Sequence, residues 1–525
     1  VSLLGKGIDM PKLARMGETP AVRSPVKTTG EITTTYEGGI GHVRDAKSEL
    51  FLLAASNLVG EQTFYEGSSE RDVRYRGLVR QVVGEDPEWV GKLAHYLRDD
   101  LRMRAASIVM AAEYVAAGGP HGRAVVDSVL LRPDEPGELL GYWFGTYGRK
   151  IPAAIKRGIA DAVGRLYTEH NALKYDGQGQ PFRFGDVIEL THPKPADDYR
   201  ALLYKILLDR AHKRGEPVPT RLSAMSIDDA LWSVEPENRK LNLMRATEVM
   251  SWERFSSWIG RPINAAEWKA LVPKMGLMAI VRNLRNMDEA GVDPETVSMV
   301  EVKLRNREDV MRSRQLPFRF YTAWREVQTL RWGSGLEAAL TESLQNVPEL
   351  KGRTLILVDK SGSMEDPFSR RSSVKWSEIA SVFGTALALR SEEPELYAYD
   401  NREYPIPVQH GASLLRTLER FPIAGGGTQT LQVLARTWSG QDRIVIVTDE
   451  QAFPTADYGW GFNESAAKSV ADIPVPIYTF NVVGYKAGHL PSGEGNRHTF
   501  GGLSDAAFTL LGILDSRRDG GWPWE

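Results

Sequence analysis

The stretch RTLILVDKSGS, Arg353–Ser363, decides the fold of the carboxyl-terminal part of the chain. Arg353–Val358 is a short β-rich run of the kind buried inside a sheet. Asp359 ends it, and hydroxyls follow two and four residues on, at Ser361 and Ser363. Strands of open α/β sheets deliver ligands at their carboxyl ends, and Gly362 permits a sharp backbone path there. Working outward, further β-rich runs lie at Glu395–Tyr399, Arg443–Val447 and Pro476–Val482. Helical stretches alternate with them at Ser373–Leu389, Ala412–Arg420, Thr428–Trp438 and Glu464–Val470. This alternation predicts a parallel α/β sheet covered on both faces.

Two more oxygen donors stand at places of the same kind. Thr428 follows Gly425-Gly426-Gly427 at the start of a predicted helix, and Asp449 follows the strand Arg443–Val447 within VTDE. Two carboxylates and three hydroxyls, without sulfur or nitrogen, suit a hard divalent ion that keeps some water, of the Mg²⁺ class. A lone Asp-x-Ser-x-Ser is a common string, and its oxygens could equally serve as capping acceptors with no ion present. The three pieces in order, after a buried-type strand, make the metal reading the specific one.

Upstream of Glu349–Arg353 the character changes. From about Ala46 to Gln345 the pattern is helical nearly throughout, as in Ser48–Leu58, Trp89–Ala117, Ile151–Asn171, Asp197–Lys213, Arg239–Ile259, Leu277–Gly291 and Leu336–Asn346. Gly/Pro-bearing breaks such as Gly118-Gly119-Pro120 and Pro133–Gly137 separate them. Consecutive helices with short links predict a solenoid of helix pairs, with repeats too degenerate to show in the sequence. Residues 1–44 read as an extended arm or irregular lead-in. The expected domains are therefore 1–44, 45–350 and 351–525.

Composition narrows the function classes. The chain has 525 residues, of which 42% are hydrophobic and 25% charged, an ordinary globular balance. A formal net charge of -3 means that any surface for a polyanion is local. The absence of cysteine excludes disulfides, thiolate zinc sites and cysteine nucleophiles, and fits a reducing cytoplasm. No apolar run is long enough for a membrane span. Val1–Met10 lacks the design of a signal peptide, and the start at Val suggests that an initiator or short leader was removed or left out.

Local basic density is found in two places. Leu277, Ile280, Val281, Leu284 and Met287 form one buried helix face, which leaves Arg282, Arg285 and Asn286 off the stripe. From Lys303 to Arg331 there are eight basic residues, among them Arg312 and Arg314, opposed by Glu308, Asp309 and Glu326 alone. Phe318, Phe320, Tyr321 and Trp324 are interleaved. Arginine with aromatics is what single-stranded RNA requires, although the aromatics read as core before they read as stacking platforms. The second place comprises Lys156-Arg157, Lys174, Arg183, His192 and Lys194. For each single cation a plain solvated face is the competing reading, and for His192, before a proline, a structural role.

The metal motif resembles the metal-ion-dependent adhesion site of von Willebrand A domains, and that resemblance makes Asp359, Ser361, Ser363, Thr428 and Asp449 the ligands. Relatives often carry an acidic residue after the threonine; here it is Gln429. Three other segments resemble the TROVE domain of the Ro autoantigen family: Lys174-Tyr175 with FGDVIELTHPKP (Phe184–Pro195), GLMAIVRNLRNMDEAGV (Gly276–Val292) and LPFRFYTAW (Leu316–Trp324). The order, helical domain before A domain, matches as well, and the resemblance extends from about residue 30 to the end.

It implies a monomeric ring of α-helical HEAT-like repeats closed by the A domain. It further implies Y RNA on the outer surface around Lys156, Arg157, Lys174, Arg183, His192 and Lys194. The central hole would take single-stranded 3′ ends of misfolded RNA, and Arg282, Arg285, Arg312 and Arg314 are expected to line it or lie beside it. The implied role is noncoding-RNA quality control, in bacterial relatives with Y RNA tethered to polynucleotide phosphorylase. No nucleophile–base constellation is present, so the expectation is a non-enzyme. The alternatives are a metal-dependent protein-interaction scaffold and, behind it, a hydrolase.

Overall fold

The computed structural model describes residues 25–35, 40–56, 68–177, 179–313, 315, 317–327, 329–367, 373–409, 411–423, 425–451, 473–485, 492, 496–501, 511 and 521–524. The predicted helix Glu464–Val470 and the site candidate Arg314 lie outside them.

The part read as an irregular arm contains two strands, β1 (Thr28–Thr34) and β2 (Ile40–Arg44), paired antiparallel. Nineteen α-helices follow among the described residues. They are α1 (Ala46–Ser56), α2 (Ser68–Glu85), α3 (Pro87–Asp99), α4 (Arg104–Ala116), α5 (Gly122–Val129), α6 (Glu135–Tyr147) and α7 (Ala153–Leu166). Then come α8 (Glu169–Tyr175), α9 (Phe184–Thr191), α10 (Asp198–Ala211), α11 (Ser223–Trp232), α12 (Leu243–Val249) and α13 (Trp252–Ile259). The last are α14 (Ala265–Leu271), α15 (Leu277–Glu289), α16 (Pro294–Arg305), α17 (Arg307–Ser313), α18 (Pro317–Glu326) and α19 (Gly333–Ser343).

Their starts follow local chemistry. Asp86 accepts from the Trp89 N–H ahead of Pro87, and Asp293 accepts from the Thr296 N–H ahead of Pro294; a capping acceptor followed by proline is a strong helix start. Asn264 and Glu267 form a reciprocal capping box on α14. On α15 the expected stripe is the buried one, with Asn283 beside it, while Arg282, Arg285 and Asn286 face solvent. Close packing has specific requirements too. On α9, Gly185 faces the Leu207 carbonyl of α10 so closely that any β-carbon would run into it.

The carboxyl-terminal part is a six-stranded sheet in the order β5-β4-β3-β6-β7-β8. The strands are β3 (Leu350–Asp359), β4 (Ser391–Tyr399), β5 (Glu403–Ile406), β6 (Arg443–Thr448), β7 (Ile477–Asn481) and β8 (Arg497–Gly501), with helices α20 (Trp376–Leu389), α21 (Leu414–Leu418) and α22 (Thr430–Thr437). Five strands run parallel, but β5 pairs antiparallel with β4, so the sheet is mixed rather than wholly parallel. The reason is the tight turn at Asp400–Arg402, which leaves no room for a crossover helix; Pro405 is tolerated because β5 is an edge. β3 is central, and its side chains alternate between two cores. Ile356 and Val358 pack with α20, whereas Leu355 and Leu357 pack with Val433 and Leu434 of α22.

The helical array is seated on the sheet domain at both of its ends. At the far end α18 packs on α20. At the near end α1 packs on β8, Arg71 donates to the Val483 carbonyl at 2.9 Å, and Arg74 donates to that of Gly484 at 3.2 Å. Trp522 stacks edge-on against Phe51 and Trp89, with ring centres 5.3 and 5.0 Å apart. The contacts therefore form a closed circuit. Among the described residues, no helix is long and apolar enough to cross a membrane.

Candidate metal centre and nucleic-acid interface

The carboxyl ends of β3, β4 and β6 meet above the sheet. The parallel register places Val358 beside Ala398 and Val447, so Asp359 and Asp449 emerge on neighbouring strands. Asp359, Ser361, Ser363, Thr428 and Asp449 are all buried. Asp359 Oδ1 accepts from the Ser361 N–H at 2.8 Å, and Oδ2 accepts from the Thr448 hydroxyl at 2.6 Å. The Ser361 and Ser363 hydroxyl oxygens lie 3.4 Å apart, and Asp449 Oδ1 accepts from the Gln451 N–H at 3.1 Å. The Gly362 N–H donates to the Gly426 carbonyl at 3.0 Å, which joins the β3 loop to the loop carrying Thr428. The structure thus brings the five predicted donors to one end of the sheet.

Asp400, not singled out in the sequence, holds this arrangement together. Its Oδ2 accepts from the Gly426 N–H at 3.3 Å and its carbonyl from the Gln429 N–H at 3.1 Å. A β-carbon at Gly426 would lie 2.9 Å from Asp400 Oδ2, so only glycine allows this approach. Gln429 occupies the N-cap position of α22. The signal for Asp400 was its place directly after the strand Glu395–Tyr399.

The chemistry of the donors fits a cation. Burial, followed by the negative charge of Asp400, pushes the Asp359 carboxyl above its ordinary range, against the pull of its hydrogen bonds from Thr448 and Ser361. Among the described residues no lysine, arginine or histidine forms an ion pair with Asp359 or Asp400; Lys360 Nζ instead lies 3.9 Å from Glu365. Nor, among them, is there a group of three or more His, Asp or Glu able to hold a metal on their own. Hydroxyls would have to complete the coordination, as they do in the predicted set.

The basic candidates divide by what they already touch. Arg157, Lys174, His192 and Lys194 are exposed and Lys156 is half-buried. Lys174 Nζ lies 5.3 Å from the Tyr175 ring centre, over which Arg132 also sits at 5.6 Å. His192 ends α9 in the left-handed conformation, φ 51°. Arg183 is occupied by the fold: it pairs with Asp176 at 2.9 Å and donates to the Arg210 carbonyl at 3.2 Å.

The Lys303–Arg331 segment is less free than its composition suggests. Lys303 caps the Pro273 and Met275 carbonyls, and Arg331 lies 3.5 Å from Asp288. Arg285 is 3.6 Å from Glu289, and Arg312 is 3.7 Å from Asp309. Phe318, Phe320 and Tyr321 are buried, as core, and Trp324 is half-buried. One pair stands apart. Arg282 on α15 and Arg319 on α18 are exposed, and neither has an ion pair among the described residues. Desolvation, and then the charge of Arg282, push the Arg319 guanidinium below the usual arginine range. Arg319 was one of the eight basic residues counted in this segment but was not singled out, because counting charges does not reveal which are already neutralised.

Comparison with known proteins adds the following. A model of the TROVE domain matches residues 215–340, which include α15 and α18. "RNA-binding protein RO60" of Deinococcus radiodurans is 22% identical over 432 residues, 74% of this chain and 78% of that protein. "Telomerase protein component 1" of Mus musculus is 28% identical over 167 residues. The aligned part is 31% of this chain but only 6% of that much longer protein. The crystal structure of the Deinococcus radiodurans RO (RSR) protein superposes with a TM-score of 0.58 at 16% identity, covering 89% of this chain and 100% of that one.

Proposed function

We propose that this chain, a TROVE-domain protein of the bacterial Ro family, is an RNA-binding protein without catalytic activity. The observation that carries the reading is the Arg282–Arg319 pair inside the matched region. Two exposed guanidiniums without an ion-paired carboxylate among the described residues have their charge available to a phosphate backbone.

In the finer version, the closed circuit is a ring of HEAT-like repeats completed by a von Willebrand A-like domain. Lys156, Arg157, Lys174, His192 and Lys194 would contact Y RNA on its outside. Arg282, Arg319 and Arg312 would meet single-stranded 3′ ends of misfolded RNA at the hole. An Mg²⁺-class ion would be held by Asp359, Ser361, Ser363, Thr428 and Asp449, where it would supply a fixed positive charge to the buried carboxylates. The place of work would be noncoding-RNA quality control in the cytoplasm, with polynucleotide phosphorylase as a candidate partner.

Gel shifts with tailed, blunt and circular RNAs test this. Tailed RNA should bind well and blunt duplex weakly; equal binding of circular and tailed single strands would reject threading. Copurifying RNA should raise absorbance at 260 nm, and labelled RNA should survive incubation with the protein and Mg²⁺.

A second reading, a metal-dependent protein-interaction scaffold, is favoured by a cavity of about 450 Å³ where α18 meets α20 and α21. Trp324, Lys360 and Phe421 line it, and the fully exposed Ile423 stands at its lip. Under that reading, partner binding would require the ion and RNA would not compete.

A further inference from the structure

We propose that the Arg44–Glu450 pair is a latch that couples cation binding at Asp359 and Asp449 to the seating of the N-terminal hairpin on the sheet domain. The inference rests on the metal reading above.

Arg44 is the last residue of β2. Its Nη2 donates to both oxygens of Glu450, at 2.9 and 2.7 Å, and both side chains are 0% exposed. The pair joins positions 406 residues apart. Glu450 directly follows Asp449. The Glu450 N–H donates to the Thr448 hydroxyl oxygen at 3.0 Å, and the Thr448 hydroxyl in turn donates to Asp359 Oδ2 at 2.6 Å. On the other side, Asn481 Nδ2 donates to Glu450 Oε2 at 2.6 Å. Asn481 Oδ1 accepts from the N–H groups of Val483 and Gly484, whose carbonyls receive Arg71 and Arg74. The turn 448–450 therefore touches the candidate ligands on one face and the docking contacts of the first helices on the other.

Two features make this turn able to yield. Arg44 Nε and Nη1 have no hydrogen-bond partner among the described residues, so the burial of the guanidinium is only partly offset. Glu450 holds a φ of 63°, which L residues rarely adopt outside special turns. A cation held by Asp359 and Asp449 would offset the negative charge that stands next to Glu450 in the chain. It thereby favours the strained turn, and with it the socket for Arg44. Linkage is reciprocal: whatever factor the cation contributes to docking, docking contributes to cation affinity.

The test uses the full chain. Hydrogen–deuterium exchange is followed over residues 40–56 and 443–451 with Mg²⁺ and with chelator, and calorimetry measures Mg²⁺ affinity on the same samples. Mg²⁺ should slow exchange in residues 40–56 by about 10-fold, a typical coupling factor. The double variant R44M/E450Q avoids stranding a buried charge. It should bind Mg²⁺ about 10-fold more weakly, by the same linkage, and lose the Mg²⁺-dependent protection. Mg²⁺ that binds while exchange over 40–56 stays unchanged overturns the latch and leaves the metal reading standing. Absence of Mg²⁺ binding overturns both. Should the double variant fail to fold, the titration of the unaltered protein decides.

Discussion

The Tyr321 hydroxyl of α18 donates to Glu378 Oε1 of α20 across 3.0 Å, and Arg325 Nη1 lies 3.1 Å from the same oxygen. The other oxygen of Glu378 accepts from the Lys375 N–H and closes the first turn of α20. One carboxylate therefore fastens the far end of the helical array to the sheet domain and caps a helix beneath it.

Replacing Tyr321 with Phe should cost about 1 kcal/mol, the net worth of one hydrogen bond. Burial, and then the charge of Glu378, push the Tyr321 hydroxyl up to about 12. Its proton is thus retained in the folded state after the unfolded chain, at about 10, has lost it. The contribution should be constant below about pH 10 and shrink as pH rises toward the folded value. Urea unfolding of both proteins across that range checks it; a difference that grew with pH would contradict the hydrogen bond.

Asp293 makes the opposite case. The Thr296 hydroxyl and N–H, and then Lys269, hold its carboxyl down to about 2. A depressed carboxylate stabilises above its ordinary value, and that support is lost as pH falls from about 4 toward the folded value. Amide shifts of Thr296 in the folded protein should titrate with a midpoint near the folded value of about 2, and Asp293→Asn should leave them flat there.

Removing Arg282 and Arg319 together should lower the salt slope of single-stranded RNA binding by about 1.4, at about 0.7 for each phosphate no longer neutralised. Arg183→Ala should instead lower stability, because its partners are Asp176 and the Arg210 carbonyl. A filter-binding series from low to moderate salt separates the two outcomes.

Gly185→Ala should destabilise by about 2 kcal/mol even though alanine is the better helix former, because the added carbon meets backbone of α10 rather than a movable side chain. His192 caps the end of α9, so under the proposed outer RNA surface, binding of a structured RNA should weaken in parallel. Thermal unfolding beside gel shifts checks both.

Four strands of the sheet were legible because each reads as a β-rich run, and ligands follow β3 and β6 in the same string. The antiparallel β5 was not, since four residues with an edge proline carry little pattern, nor was β8, whose Arg-His-Thr-Phe-Gly has little apolar signal. Within Trp89–Ala117 the periodicity runs on, yet the helix breaks at Leu101–Met103. Arg102 turns to φ 57° there, with no glycine or proline to announce it. Arg239–Ile259 hides a second break, where Ser251 caps α13 through the Arg254 N–H. The hairpin β1–β2 was read as irregular because its docking partners lie far along the chain, as in the Thr28 N–H donating to the Ser492 carbonyl at 3.1 Å. Asp400 escaped notice for the same kind of reason, as it acts through a glycine loop that only the fold brings to it.

The indole pair Trp522 and Trp524 rests on Phe51 and Trp89, so the first helices find their last neighbours near residue 524. On a ribosome adding roughly 5–20 residues per second, that wait lasts roughly half a minute to a minute and a half. Throughout it the faces of Phe51 and Trp89 that Trp522 and Trp524 meet have yet to find those partners. The nascent helical array is thus an open arc before it is a closed circuit.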